Sequence, residues 1–211
     1  MSNIKDTILG VYIIESLDIS DERRNISEGK MIKKALQLCG VKCSYKYIRT
    51  ETEFRYFLSC FRRSKYRYLH ISCHGSKTSL CTTLDTISQN ALCDLLPKNI
   101  DNRRIFISAC GFVNDNIAKN LLGCSDCFSV IGYDEDVNIC DSAMLWSSFY
   151  YAIFRQHMQL KERFRMNRNQ ILLILKGLTK IYEQIVNYYA YKRNELVKCI
   201  IDNGKTTEQS L

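Results

Sequence analysis

The sequence contains a single proline, Pro97, and only nine glycines in 211 residues. The sequence shows no Pro/Gly/Ser linker, no low-complexity tract and no internal repeat, so neither tethered modules nor a repeat architecture is expected. No stretch approaches 18 uninterrupted apolar residues, so nothing is expected to span a membrane, and a membrane is not among the expected partners. The opening stretch MSNIKDTILGVYIIESLD has an apolar run but lacks the basic leading region and small-residue cleavage site of a secretion signal. It reads as a first strand of a soluble protein. A glycine-rich phosphate loop is also missing, and with it any expectation of nucleotide-driven activity. The motif Cys124-Ser125-Asp126-Cys127 has no second pair at zinc spacing and sits between a helix and a strand. No redox role, no metal and no cofactor is therefore expected.

Cysteine, by contrast, is plentiful. The eleven cysteines are odd in number and irregularly spaced, and Cys39, Cys60, Cys93 and Cys199 lie in apolar runs where a thiol acts as a small hydrophobe. That usage fits a reducing, cytoplasmic compartment. The net charge of +8 is concentrated: Arg155 to Tyr182 holds seven Lys or Arg against Glu162 alone. A solvated helix face accounts for most such runs, so nucleic acid is expected as a weak or indirect partner at most.

Residues 1–156 read as one α/β domain, because short apolar runs alternate with helical patterns. Strands are expected at Ile8–Glu15, Lys42–Ile48, Tyr68–Cys73, Arg104–Ala109 and Phe128–Tyr133. Thr50-Glu51-Thr52-Glu53 and Thr86-Ile87-Ser88-Gln89 both match the helix capping box. Asp141 is placed to cap a helix over Ser142–Phe154, with Met144, Leu145, Phe149 and Ala152 on its buried face. The expected fold is a mostly parallel, doubly wound sheet flanked by helices. Residues 157–211 read as a basic C-terminal helical extension. Its seam of Ile171, Ile174, Leu178, Ile181, Ile185 and Tyr188 could pack on the sheet domain, on a second copy or on a partner.

Functional residues of an open parallel sheet collect where the strands finish. The stretch YLHISCHGS, residues 68–76, ends an apolar run on His74 and Gly75; RIFISACGF, residues 104–112, ends another on Cys110. If the two strands are neighbours, an imidazole and a thiol face one crevice. A thiolate attacks a carbonyl, an imidazole can take its proton, and the N–H groups of Gly75 and Cys110 can receive the developing oxyanion. Small neighbours (Ser108, Ala109, Gly111) leave room for a peptide. His70, inside the strand pattern, and His157, in the basic helix, are expected to be structural.

LHISCHGS, IFISACGF and FSVIGYDEDVNICDSAM, followed by a helix ending FYYAIF, resemble the CHAT-type caspase-like cysteine peptidases, relatives of separase and the caspases. The resemblance covers most of residues 7–155. It implies a caspase-like fold with His74 as general acid/base and Cys110 as nucleophile. The caspase signature Gln-Ala-Cys-Xaa-Gly is replaced here by Ser-Ala-Cys-Gly-Phe, and His74 precedes Cys110 by 36 residues rather than the ~50 of caspases. Both departures point to the CHAT branch and away from an aspartate preference. In separase-like members an acidic residue after the next strand binds a basic side chain ahead of the cleaved bond. Asp134 occupies the similar place, with Glu135 and Asp136 as its neighbours, although a solvated acidic turn accounts equally for all three.

The resemblance implies a cysteine endopeptidase acting on a protein substrate, regulated by a separate sensor subunit within a bacterial (antiviral) defence system. Two alternatives stand beside it: a catalytically silent CHAT-like scaffold, and a basic nucleic-acid-binding protein.

Overall fold

Val11, Tyr12, Ile13 and Ile14, like Ile105, Phe106 and Ile107, are apolar at every position and almost inaccessible. A strand can be apolar on both faces only if both faces are covered, and the layers around the sheet supply that cover. The computed structural model describes residues 7–155 and 165–211. Along the chain run β1 (Ile8–Glu15), α1 (Ile19–Arg24), α2 (Glu28–Leu38), β2 (Lys42–Tyr47), α3 (Glu51–Ser64) and β3 (Tyr66–Ser72). Three short strands, β4 (His74–Gly75), β5 (Ser79–Cys81) and β6 (Thr86–Ser88), come before α4 (Gln89–Leu95) and β7 (Arg104–Ser108). The chain continues through α5 (Asp115–Ser125), β8 (Ser129–Gly132), α6 (Ile139–Arg155), α7 (Arg168–Tyr182), β9 (Val186–Lys192), β10 (Glu195–Asp202) and β11 (Lys205–Ser210).

Eight strands form one sheet in the order β2-β1-β3-β7-β8-β9-β10-β11. The first five are mutually parallel, whereas β9, β10 and β11 are antiparallel to their neighbours. One face carries α3, α4 and α5 around Phe54, Leu58, Leu92 and Leu121. The other carries α2, α6 and α7 around Ile32, Leu36, Trp146, Phe149 and Leu175. The strands β4, β5 and β6 form a separate small antiparallel sheet beyond the end of β3. Among the described residues no helix is long and apolar enough to cross a membrane.

The five parallel strands and the capping box at Thr50 are as the sequence predicts: Thr50 Oγ1 accepts from Glu53 N and the Glu53 carboxylate accepts from Thr50 N. The second expected box is not one. Thr86–Ser88 is strand β6, its Ile87 paired with Leu80 and buried against it, and the helix begins a residue later with Ser88 as cap. Asp141 does not cap α6, which starts at Ile139 with Asn138 Oδ1 accepting from Cys140 N. It lies instead in the first turn, where its charge suits the positive helix end. The buried stripe of α6 is Leu145, Trp146, Phe149, Tyr150 and Ile153, while Met144 faces solvent.

The C-terminal extension is only partly helical, in contrast to the expectation. Glu183, left-handed at φ 52°, ends α7, and the aromatic-rich run VNYYAYK then pairs with β8 as β9. Ile185 and Tyr188 are therefore not on the helix seam. Ile171 and Leu175 are buried and Ile174 and Leu178 half-buried against the α6 side, whereas Ile181 is 69% exposed. The first part of the seam, from Ile171 to Leu178, packs within this chain, and Ile181 is left in solvent.

Candidate active site

Strands β3 and β7 are neighbours, with Ser72 opposite Ser108. His74 and Cys110 each follow that rung by two residues, so both emerge from the carboxyl end of the sheet on adjacent strands. They line one small cavity of about 50 Å³, together with Ser16, Leu17, Cys73 and Val137. The backbone turns sharply after the cysteine. Gly111 adopts a left-handed φ of 63°, which only glycine takes without strain. Its N–H donates to Glu135 O at 2.9 Å, and Val113 N donates to Tyr133 O at 2.8 Å. The loop after β8 is thereby strapped across the end of β7. Both hydrogen bonds of the Cys110 sulfur run to the backbone of Val137: Val137 N–H donates to it at 3.4 Å, and the thiol can donate to Val137 O at 3.4 Å.

Gly75 packs tightly behind the cysteine. A Cβ at this position would lie 2.9 Å from Ala109 Cβ and 3.3 Å from Cys110 O. Glycine permits this close approach between the two strand ends.

Two acidic residues that the sequence reading did not single out hold His74. Its Nε2 lies 2.8 Å from Asp21 Oδ2 and 3.8 Å from Asp18 Oδ2. Asp18 caps α1, its side chain accepting from Asp21 N at 2.7 Å, and this short helix delivers Asp21 to the imidazole. His74 is 44% exposed at the side chain, but Asp21 only 5%. These three side chains place one ligand atom each within 4.8 Å of one another, a spacing that a divalent cation could use. The available signal was SLDISDERR after β1, where an Asp at a strand end begins a helix; its distance from His74 in the sequence concealed the contact.

Glu28 lines the same cavity and is buried and fully engaged. Oε1 lies 3.0 Å from His70 Nε2, and Oε2 accepts from Ser108 Oγ at 2.9 Å and Ser142 Oγ at 2.6 Å. His70 is also 3.1 Å from Tyr150 Oη. It is a satisfied structural histidine, and with Glu28 it joins α2, β3, β7 and α6 under the site. His157 lies outside the described residues.

Asp134 stands at the end of β8, with Lys198 Nζ at 3.4 Å and Asn187 Nδ2 at 3.3 Å from its Oδ2. Lys198 is shared with Asp115 at 2.8 Å. Glu135 and Asp136 are exposed in the strapping loop. The CxxC cysteines are chemically quiet: burial, aided by the Cys93 thiol, pushes Cys124 up to about 12, and burial pushes Cys127 to about 12. All eleven cysteines are free thiols. Burial also raises Cys73, the neighbour of His74.

No protein-family model matches the sequence, and no curated protein matches it. Among solved structures, the chain is similar to caspase-1 from Spodoptera frugiperda with a TM-score of 0.51 at 14% identity, over 85% of this chain and 79% of that one. The likeness at this identity is one of fold, and the chain has a caspase-like fold.

Proposed function

We propose that the protein is a cysteine endopeptidase of CHAT type, with His74 and Cys110 as its catalytic pair. The observation that carries this reading is the adjacency of β3 and β7, which brings both side chains to one cavity. Since Nε2 of His74 faces Asp21, Nδ1 is left for the thiol proton. The thiolate attacks the carbonyl carbon of the scissile bond, and the oxyanion is received by the N–H groups of Gly75 and Cys110. His74 then returns the proton to the leaving amine as the C–N bond breaks. Water, deprotonated by the same imidazole, hydrolyses the thioester and frees Cys110.

Selection of Arg or Lys ahead of the cleaved bond is part of the reading, through the acidic stretch Asp134, Glu135 and Asp136. Asp134 already accepts from Lys198 and Asn187, so the exposed carboxylates of Glu135 and Asp136 carry more of the attraction. A separate sensor subunit regulates the enzyme, as in the bacterial defence systems that the sequence resemblance implies. The test is to incubate the purified protein with candidate partner and substrate proteins and sequence the fragments by mass spectrometry. Discrete fragments are expected from the wild type and none from Cys110→Ala; fragments from both would overturn the assignment.

A further inference from the structure

At the opposite, amino-terminal end of the same strands lies a second and larger cavity, of about 390 Å³. Its volume falls in the range of roughly 300–1,000 Å³ usual for small-molecule sites. Five cationic side chains line it: Arg67, Arg104, Arg165, Arg168 and Lys192. Among the described residues, no Asp or Glu does. Glu208 lies outside the lining and accepts from Arg168 at 2.6 Å and from Lys192 at 2.9 Å, and Arg67 and Arg165 have partners of their own. The amino end of α7, at Asn167 and Arg168, adds the positive pole of a 15-residue helix.

Arg104 is the most telling of these residues. It is 6% exposed, and its guanidinium donates to Ser129 Oγ at 2.7 Å, Tyr188 Oη at 3.1 Å and Met166 O at 2.8 Å, all neutral acceptors. A buried cation whose acceptors are all neutral is costly, and an anion in the cavity would compensate it. Burial, reinforced by the positive charge of Arg165, also lowers the Arg67 guanidinium below its usual range.

Four aromatic side chains form part of the remaining wall, beside polar Asn102 and Asn167 and small or aliphatic residues. Tyr68 and Tyr188 are buried in it, while Phe128 and Tyr191 are each 51% exposed at its edge. The Arg104 guanidinium stacks 4.4 Å from the centre of the Phe128 ring. Guanidinium groups suit phosphate oxygens and exposed aromatic faces suit a planar base, two demands met together by one class of ligand.

We propose that this cavity is a binding site for a nucleoside phosphate, with the phosphate towards Arg104 and the base towards Tyr191. It lies at the far end of β3 and β7 from His74 and Cys110, so its occupant does not compete with a peptide there. The site is independent of the protease reading, and binding is expected to be the same in Cys110→Ala.

The test is calorimetric titration of the full chain with AMP, ATP and inorganic phosphate, at low and high salt. Both nucleotides are expected to bind, more weakly at high salt, and at least about tenfold tighter than phosphate alone. Arg104→Gln is expected to abolish binding but is buried enough to disturb folding. Tyr191→Ala and Lys192→Gln, on exposed side chains, should each weaken nucleotide binding by about tenfold while leaving the melting temperature of the free protein unchanged. Absence of nucleotide binding at millimolar concentration, binding that both exposed variants leave intact, or phosphate binding as tight as nucleotide would each overturn the proposal. So would retention of poly(A) RNA without binding of either mononucleotide.

Discussion

His74 Nε2 lies 2.8 Å from Asp21 Oδ2, and Asp21 Oδ1 in turn lies 2.7 Å from Arg24 Nη2. The carboxylate thus fixes the imidazole through one oxygen and is itself fixed through the other. In the proposed mechanism Asp21 is a positioning residue that sets the tautomer with Nδ1 towards the thiol. Asp21→Asn is expected to lower kcat by about a hundredfold, within the usual worth of a well-placed acid/base group, and to leave KM nearly unchanged. Nitrogen-15 spectra of His74 check the cause, since a change of tautomer should accompany the loss. An unchanged imidazole spectrum with full activity would contradict this role.

Gly75 is expected to tolerate no side chain. The Cβ of Gly75→Ala would sit 2.9 Å from Ala109 Cβ and 3.3 Å from Cys110 O, where the two strand ends meet. Displacing that backbone moves the oxyanion donor of the proposed mechanism, and loss of one such donor typically costs about 10²–10³ in kcat. Steady-state kinetics beside a melting curve separates this outcome from simple unfolding. Activity within a few-fold of wild type would remove Gly75 from the oxyanion site.

The fold makes a sharp distinction within the α7 seam. Leu175 is fully buried, so Leu175→Ala should destabilise the protein by about 2–5 kcal/mol, as other core truncations to alanine do. Ile181→Asp, on an exposed side chain, should change stability by no more than about 0.5 kcal/mol. Chemical denaturation of the two variants measures both. Equal losses would contradict the placement of α7.

For the acidic loop, a peptide library should be cut after Arg or Lys. Replacing Glu135 and Asp136 together with lysine should reduce that preference more than Asp134→Asn, because Asp134 is already engaged by Lys198. Cleavage confined to sites after Asp or apolar residues would contradict the basic preference.

These predictions rest on parts of the molecule that differ in how far the sequence discloses them. Val11–Ile14 and Ile105–Ile107 announce buried parallel strands because consecutive apolar residues leave no solvated face. The ends of those strands, and hence His74 and Cys110, follow directly. The extension was harder to read: the apolar residues of α7 recur at helical spacing, and that spacing continues by coincidence through Ile185, in the connection before β9, to Tyr188 within it. What turns the chain there is Glu183 in a left-handed conformation that glycine or asparagine would ordinarily announce and glutamate does not. The Asp21 and Glu28 contacts were not legible at all. Each carboxylate meets its histidine across more than 40 residues, 53 in one case and 42 in the other, and only the folded sheet closes those distances.

The most direct test of the central claim, that His74 activates Cys110, needs no substrate. It is the rate of alkylation of each cysteine by iodoacetamide as a function of pH, resolved by mass spectrometry in the wild type and in His74→Ala. Cys110 is expected to react at least about tenfold faster than the exposed Cys140 near neutral pH, and to lose that advantage in His74→Ala, because the thiolate is the reacting species. Reaction of Cys110 no faster than Cys140, or equally fast with and without the imidazole, would contradict the account.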